Sequence, residues 1–432
     1  FFLPLLLGAC APQGEAEPAS AQPGAGQPAS AVQESTASDA EQGPRIVWTD
    51  GEEIIEESLP AGQQELIEAY FSRYYEALVT LEVPDFSELF ASDAGAWLSL
   101  HEQTMAYIIG LRSMRPADLC LADYRSELAL EEAGEETAEA HNQAVLTETS
   151  TQNFACHPQV DSMVFGVRHT FVFVREHGEW RIKEHTQWDG SFWSMMRELG
   201  DDGPEGLPDA EEYFAARRAA LLAEAEAELA LREEDREERE TLADRRAEAA
   251  APAEGEPSGN LVPYDRDAAA SYGASWIGRR NEDWWDYSRQ GGNCQNFVSQ
   301  CLYAGGIPMD TQGDAVWKWY GEAINDLDET WGCSASWINV DYFYQYAQEN
   351  EGYGLAAQTD ASYWEGDIGD VILMGPSHDL NHSVLISGVV RDAEGRTVDY
   401  LIHSNTSDVR DFPVSIYPNP RQVLVRILGR RE

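Results

Sequence analysis

The stretch of this sequence best suited to covalent chemistry is Gly291-Gly292-Asn293-Cys294-Gln295-Asn296-Phe297-Val298-Ser299-Gln300-Cys301-Leu302. Phe297, Val298, Cys301 and Leu302 recur at helical spacing, and Gly305-Gly306 can end the helix. Asn293 is a favoured N-cap residue, so the pattern predicts a helix whose first turn carries Cys294. Unpaired N–H groups and the helix dipole there would favour a thiolate and could also face a developing oxyanion. Cys301 lies seven residues on, about 10 Å along one helix, too far for a bridge to Cys294. Its place on the apolar stripe marks it as packing.

A nucleophilic cysteine needs a base, and the base needs a partner that orients it. Beyond residue 260 the only histidines are His378, His382 and His403. His382 precedes the run Ser383-Val-Leu-Ile-Ser-Gly-Val-Val390 and should open a strand; His403 ends the next apolar run, Val398-Asp-Tyr-Leu-Ile-His403. If the two strands are antiparallel neighbours, the two rings come close, as a base and its orienter require. Asn293, at the helix start, is a candidate oxyanion donor. His378 and His382 have the i,i+4 spacing of a zinc pair on a helix, but the local pattern is loop and strand, which parts the rings. No metal and no cofactor is therefore expected.

The elements that must hold these residues are of two kinds. Leu66, Tyr70, Tyr74 and Leu78 recur every fourth residue, and Trp97, His101, Met105, Ile108 and Leu111 continue a second helix. Period-two stretches follow from Tyr124 and from Thr170, the latter turning at His177-Gly178. From Asp209 to Glu248 acids and arginines dominate; this reads as a largely solvated helical spacer. A Pro/Gly-rich break follows at residues 251–260. The fold class is α+β, in two layered domains. The expected division is 1–10 signal remnant, 11–61 disordered linker, 62–200 α+β domain, 201–260 spacer and hinge, 261–432 the chemical domain.

Asp plus Glu number 77 against 29 Lys plus Arg, and a net charge of −48 repels phosphate backbones, which excludes nucleic acid as a partner. Cys120 and Cys156, the two thiols of the first domain, are candidates for a disulfide or for two separate core residues.

Three resemblances add to this reading. Leu7-Gly8-Ala9-Cys10 resembles a bacterial lipobox, which implies a signal remnant ending in a lipidated Cys10 and an extracytoplasmic, membrane-anchored protein. By element order alone, residues 62–200 resemble the nuclear transport factor 2-like cone fold. Tyr264-Asp-Arg-Asp-Ala-Ala-Ala-Ser-Tyr272, the Gly-Gly-Asn-Cys-Gln-Asn-Phe-Val-Ser-Gln-Cys-Leu block, Gly305-Gly-Ile-Pro-Met309, Ser336-Trp337, Gly369-Asp-Val-Ile372 and His382-Ser383 resemble the putative amidase domain family. That family belongs to the papain-like cysteine hydrolases, related to the NlpC-type cell-wall peptidases. The resemblance implies Cys294 as nucleophile, His382 as base and a third polar residue on the following strand, which maps to His403. Because the residues after His403 are spaced differently from the family's, Asn405 or Asp408 is the alternative orienter. The resemblance also implies Gln290, shortly before the Cys, as a candidate oxyanion donor. The implied function is amide hydrolysis through a thioester, with cell-wall peptide or peptidoglycan as substrate. The alternative is an inactive papain-like binding or scaffold lipoprotein.

Overall fold

The computed structural model describes residues 45–49, 59–134, 142–199, 203–248, 261–312, 316–324, 330–375 and 379–432. Cys10 and His378 lie outside the described residues, as do residues 11–44.

The four-residue spacing in the first domain becomes helix α1 (Ala61–Thr80), which buries Leu66, Ile67, Tyr70, Phe71, Tyr75 and Leu78. Helix α2 (Gly95–Ser113) follows. Both cover the inner face of a sheet built from β2 (Leu121–Ala133), β3 (Asn142–Phe154), β4 (Ser162–Glu176) and β5 (Glu179–Gln187). The β4–β5 hairpin turns at His177-Gly178, both with positive φ, the turn whose twist matches that of paired strands. One strand, β1 (Ile46–Thr49), was unexpected: it lies inside the segment read as disordered linker and pairs parallel to β2. Trp48 fastens it to α1 by donating to Glu68 at 2.7 Å.

The second half begins with α5 (Arg266–Ser275) and α6 (Cys294–Ala304), then α7 (Ala335–Ile338) and α8 (Val340–Glu349). Its strands are β6 (Gly354–Gln358), β7 (Val371–Gly375), β8 (His382–Arg391), β9 (Thr397–Ser404), β10 (Val409–Pro413) and β11 (Arg421–Arg431). The two sheets are continuous. β10 pairs β4 at Val409–Val164 and Arg410–Met163, giving the strand order β1-β2-β3-β4-β10-β9-β8-β7-β11-β6. β4 is long enough to serve both neighbours on one edge: its far half pairs β5 and its near end pairs β10.

Helix α4 (Ala210–Glu248; α3 is the short Gly190–Met196) departs from the solvated spacer read from its charge. Phe214 and Ala225 are buried, and Leu222 packs so tightly on α2 that a Cβ at Gly110 would meet its Cδ1 at 2.8 Å. Farther along, the Arg232 guanidinium lies 4.4 Å over Tyr363, and Arg236 lies 4.1 Å over Trp364. Planar guanidinium groups cover aromatic rings well, so this charged helix becomes a clamp across both halves.

Cys120 and Cys156 are free thiols. The ladder beyond β2 and β3 joins Ala155 N–H to the Cys120 carbonyl and Cys156 N–H to the Asp118 carbonyl, which staggers the two side chains.

Burial depresses several histidines. His101 and His382 are each pushed down to about 4 because desolvation penalises the imidazolium. Their unfolded-state value is about 6.5, so below that the unfolded chain binds protons that the fold refuses. Stability should therefore fall as pH drops from about 6.5 through 4. Buried carboxyls oppose this, Asp399 raised to about 6 and Glu102, Asp189, Asp310, Asp370 and Asp408 raised as well. The carboxylates of Asp85, Glu176, Asp235, Asp286 and Asp392, held low by their hydrogen bonds, add to the loss caused by the histidines. A melting temperature that stays flat between pH 7 and pH 4 would contradict the assignment.

Candidate active site

Helix α6 starts at Cys294, as its sequence predicts. Asn293 holds the cap position, where its carbonyl accepts the Phe297 N–H at 2.9 Å, but its side chain does not cap the helix. Instead the side chain is a junction. Its Oδ1 accepts from the Tyr287 N–H at 3.1 Å and from Asn296 Nδ2 at 2.9 Å, and its Nδ2 donates to Asn405 Oδ1 at 2.7 Å. The Asn293 N–H donates to Thr406 Oγ1 at 3.0 Å. These bonds pin the start of α6 to the loop after β9. They also occupy donors that would be needed for an oxyanion role, so Asn293 is better described as a positioning residue. Gln290, the other candidate donor, is an exposed turn residue whose N–H is bonded to the Tyr287 carbonyl. Gly291 and Gly292, at φ 111° and 128°, let the chain make this turn.

The Cys294 thiol is 7% exposed, whereas Cys301 and Cys333 are fully buried. Its sulfur faces the N–H and hydroxyl of Ser383 and the N–H groups of Gln295 and of Cys294 itself, all of which favour a thiolate. Burial outweighs them and pushes the thiol above its usual value. The lowered pKa expected from the helix terminus is thus not reached in this structure, because desolvation is the larger effect.

His382 opens β8, as predicted, and β8 runs antiparallel to β9. The register, however, pairs His403 with Leu385, not with His382. Side chains alternate along a strand, so His403 falls on the face toward α5 and α6. There its Cδ2 would lie 3.0 Å from a Cβ at Gly273, and its Nδ1 accepts from the Asp411 N–H at 3.4 Å. Burial lowers its pKa as well, with Asp411 opposing. The residue that meets His382 is the next one, Ser404, whose Oγ lies 3.3 Å from Nε2. Ser404 donates its only proton to the Thr406 carbonyl at 2.9 Å, so it accepts from His382. That places the proton on Nε2 and leaves the Nδ1 lone pair as the basic site.

Tyr417 completes the surroundings. Its ring stacks on His382 with centroids 5.2 Å apart and planes 16° apart. Burial raises its hydroxyl to about 12; Ser404 lowers it and a charge on Cys294 would raise it. Among the described residues no hydrogen bond joins the Cys294 sulfur to the His382 ring. Ser383 turns toward the sulfur, and His382, one residue earlier, toward Ser404 and Tyr417.

The other two candidate orienters have different work. Asn405 donates to the carbonyls of Trp276 at 3.0 Å and Arg279 at 3.3 Å while holding Asn293. Asp408 is paired with Arg280 at 3.0 Å. Neither meets His382. Ser404 and Tyr417 were missed by sequence reasoning. Ser404 stands beside a more conspicuous imidazole, and Tyr417 reaches the site from a loop that carries no motif.

This geometry predicts a divergence between neighbours. Ser404→Ala should reduce kcat about ten- to a hundredfold by freeing the His382 ring, with little change in melting temperature. His403→Ala should lower the melting temperature, since it leaves a hole beneath α5, and change kcat much less. Kinetics and melts on the pair would decide; the reverse pattern would return the orienting role to His403.

Among the described residues no group of His, Cys, Asp and Glu could hold a metal ion, and no helix is long and apolar enough to cross a membrane.

Residues 263–427 match the family model for a putative amidase domain. The chain is 30% identical over 159 residues to the uncharacterized protein YhbB of Bacillus subtilis, an overlap of 36% of this chain and 46% of that protein. It thus spans less than half the length of the curated relative it matches. Among solved structures it is similar to the Putative Scytalone Dehydratase of Novosphingobium aromaticivorans, at 12% identity and a TM-score of 0.20, covering 29% of this chain and 82% of that one. A protein of unknown function from Mycobacterium tuberculosis matches at 14% identity and a TM-score of 0.20, covering 37% and 87%.

Proposed function

From the putative amidase domain at residues 263–427, we propose that the chain is a cysteine hydrolase that cleaves amide bonds by a papain-like mechanism. The observation that carries this is a thiol at the first turn of α6 beside the start of β8, with His382 oriented through Ser404. His382 Nδ1 takes the thiol proton as Cys294 Sγ attacks the carbonyl carbon. The Cys294 N–H, free of a helical partner, stabilises the oxyanion. The imidazolium then protonates the leaving amine, and water, deprotonated by the same ring, hydrolyses the thioester to a carboxylic acid and restores the thiol. Because both groups are neutral at rest, proton transfer accompanies attack, and substrate binding has to bring sulfur and ring into contact.

The substrate in this reading is a cell-wall peptide or peptidoglycan. The resemblance of the domain to NlpC-type cell-wall peptidases, and that of Leu7-Gly8-Ala9-Cys10 to a lipobox, both support it. The chain would be held by a lipid at Cys10 on the outer side of the cytoplasmic membrane, and Cys10→Ala should move it from the membrane to the soluble fraction. Retention of that variant in membranes would remove the anchor from the proposal. To test the function, purified wall is digested with the protein and the new termini are identified by mass spectrometry. New amine and carboxyl termini that Cys294→Ala does not produce are expected. None with either protein, together with a Cys294 that does not titrate or react, would favour a binding or scaffold role.

A further inference from the structure

A cavity of about 320 Å³ lies between the α1–α2 face of the first sheet and the loops around β10. It does not include Cys294. Its walls combine aromatic and aliphatic side chains, Phe71, Tyr75, Phe412 and Ile416 among them, with a large polar and charged share. A concave site that joins an apolar lining to converging polar groups suits a small molecule with both kinds of surface.

The polar groups indicate what it would take. Arg112 lines the cavity and is 4% exposed. Its guanidinium donates to two neutral oxygens, the Leu119 carbonyl at 3.0 Å and Gln152 Oε1 at 3.4 Å, and packs 5.0 Å from the Phe154 ring. Its Nε has no hydrogen-bond partner among the described residues. His169, 2% exposed, lines the same cavity, and its Nε2 makes no hydrogen bond although Glu148 Oε2 lies 3.3 Å away. The carboxylates of the wall are already engaged. Glu148 accepts from Tyr75 and Ser126, and Asp189 accepts from the N–H groups of Ser191 and Phe192. Asp408 is paired with Arg280, and Glu148 faces His169, so Arg112 is the buried charge of the wall that has no carboxylate partner among the described residues, with its Nε–H unbonded. A buried charge of this kind is costly unless an opposite charge reaches it.

We propose that this cavity binds a small organic carboxylate with an apolar or aromatic body, its carboxylate on Arg112, and that occupancy adjusts the Cys294–His382 site. The link is structural. Ser407 and Tyr417 also line the cavity. Tyr417 stacks on His382, and Ser407 continues the loop in which Ser404 holds His382 and Thr406 holds Asn293. The same short loop thus touches the cavity at one end, and His382 and the residue before Cys294 at the other. The binding half of this proposal stands by itself; the adjustment of the site rests on the hydrolase reading.

The test uses the full chain and two matched pairs of probes: 3-phenylpropionate against 3-phenylpropanamide, and N-acetylphenylalanine against its amide, followed by calorimetry. The first pair represents a free acid and the second a peptide's terminal carboxylate. In at least one pair the acid should bind about tenfold or more tightly than its amide, as expected of charge-assisted bonds to a buried guanidinium. Arg112→Gln should abolish that preference, and Arg112→Lys should weaken it. If the variants do not fold, the acid–amide comparison on the unaltered chain still decides. Equal binding of acid and amide, or no binding of either in both pairs, would overturn the site. With the tighter acid bound, the rate of Cys294 alkylation by iodoacetamide should change about fivefold or more. An unchanged rate despite binding would leave the cavity a carboxylate site and overturn the coupling. Loss of wall hydrolysis as a function would alter neither readout.

Discussion

Cys294→Ala should abolish amide hydrolysis, by about ten-thousandfold or more, while the melting temperature stays close to that of the unaltered chain. The size follows from the role: without a nucleophile no thioester forms, and what remains is the modest help of the oxyanion donors and of substrate binding. The fold should tolerate the change because the side chain is small and alanine removes only the sulfur, leaving the N–H groups of Gln295 and Ser383 that face it in place. Steady-state kinetics with mass-spectrometric detection of products, beside a thermal melt, would measure both. Residual activity within tenfold of the unaltered chain would remove Cys294 from the chemistry. The raised thiol adds a second signature. Alkylation of Cys294 should keep accelerating with pH above neutrality, with no plateau near pH 6, since burial rather than an ion pair governs its proton. Cys301, raised further by complete burial, should react more slowly still.

The second large effect is expected at His382. His382→Ala should cost about a thousandfold in kcat, the range for a general base that also serves as the acid. His382→Gln should do no better, because an amide fills the space without taking a proton. The pH profile distinguishes this from a packing defect. Burial holds His382 down to about 4, so it remains a free base through the weakly acidic range. Activity should persist to about pH 5 and fall as the proton enters the ring near 4. In the variant, that acid limb should disappear from whatever activity remains. A variant that retains the limb would show that another group sets it.

Much of this site could be read from local sequence. The helix that begins at Cys294 is written in an apolar stripe bounded by glycines, and the strand that begins at His382 in a run dominated by β-branched and aliphatic residues. Both are short-range patterns set by periodicity, and both elements start where the pattern does. The α+β layering followed for the same reason, and so did the His177-Gly178 hairpin.

What sequence could not supply was everything set by pairing and burial. His403 and Ser404 are adjacent, and a register of one residue decides which of them meets His382; that register depends on bulges in β8–β9 and on β10 folding back. The thiol's pKa turned on how much water the tertiary structure removes, a quantity that no helix-terminus argument contains. The join of β4 to β10, and the seating of a helix of acids and arginines on Tyr363 and Trp364, depend on contacts between residues more than a hundred positions apart. Local patterns determined which elements form and which side chains could react. Only the tertiary structure decided which of those side chains face one another, because register, desolvation and long-range packing are properties of the assembled sheet rather than of any one strand.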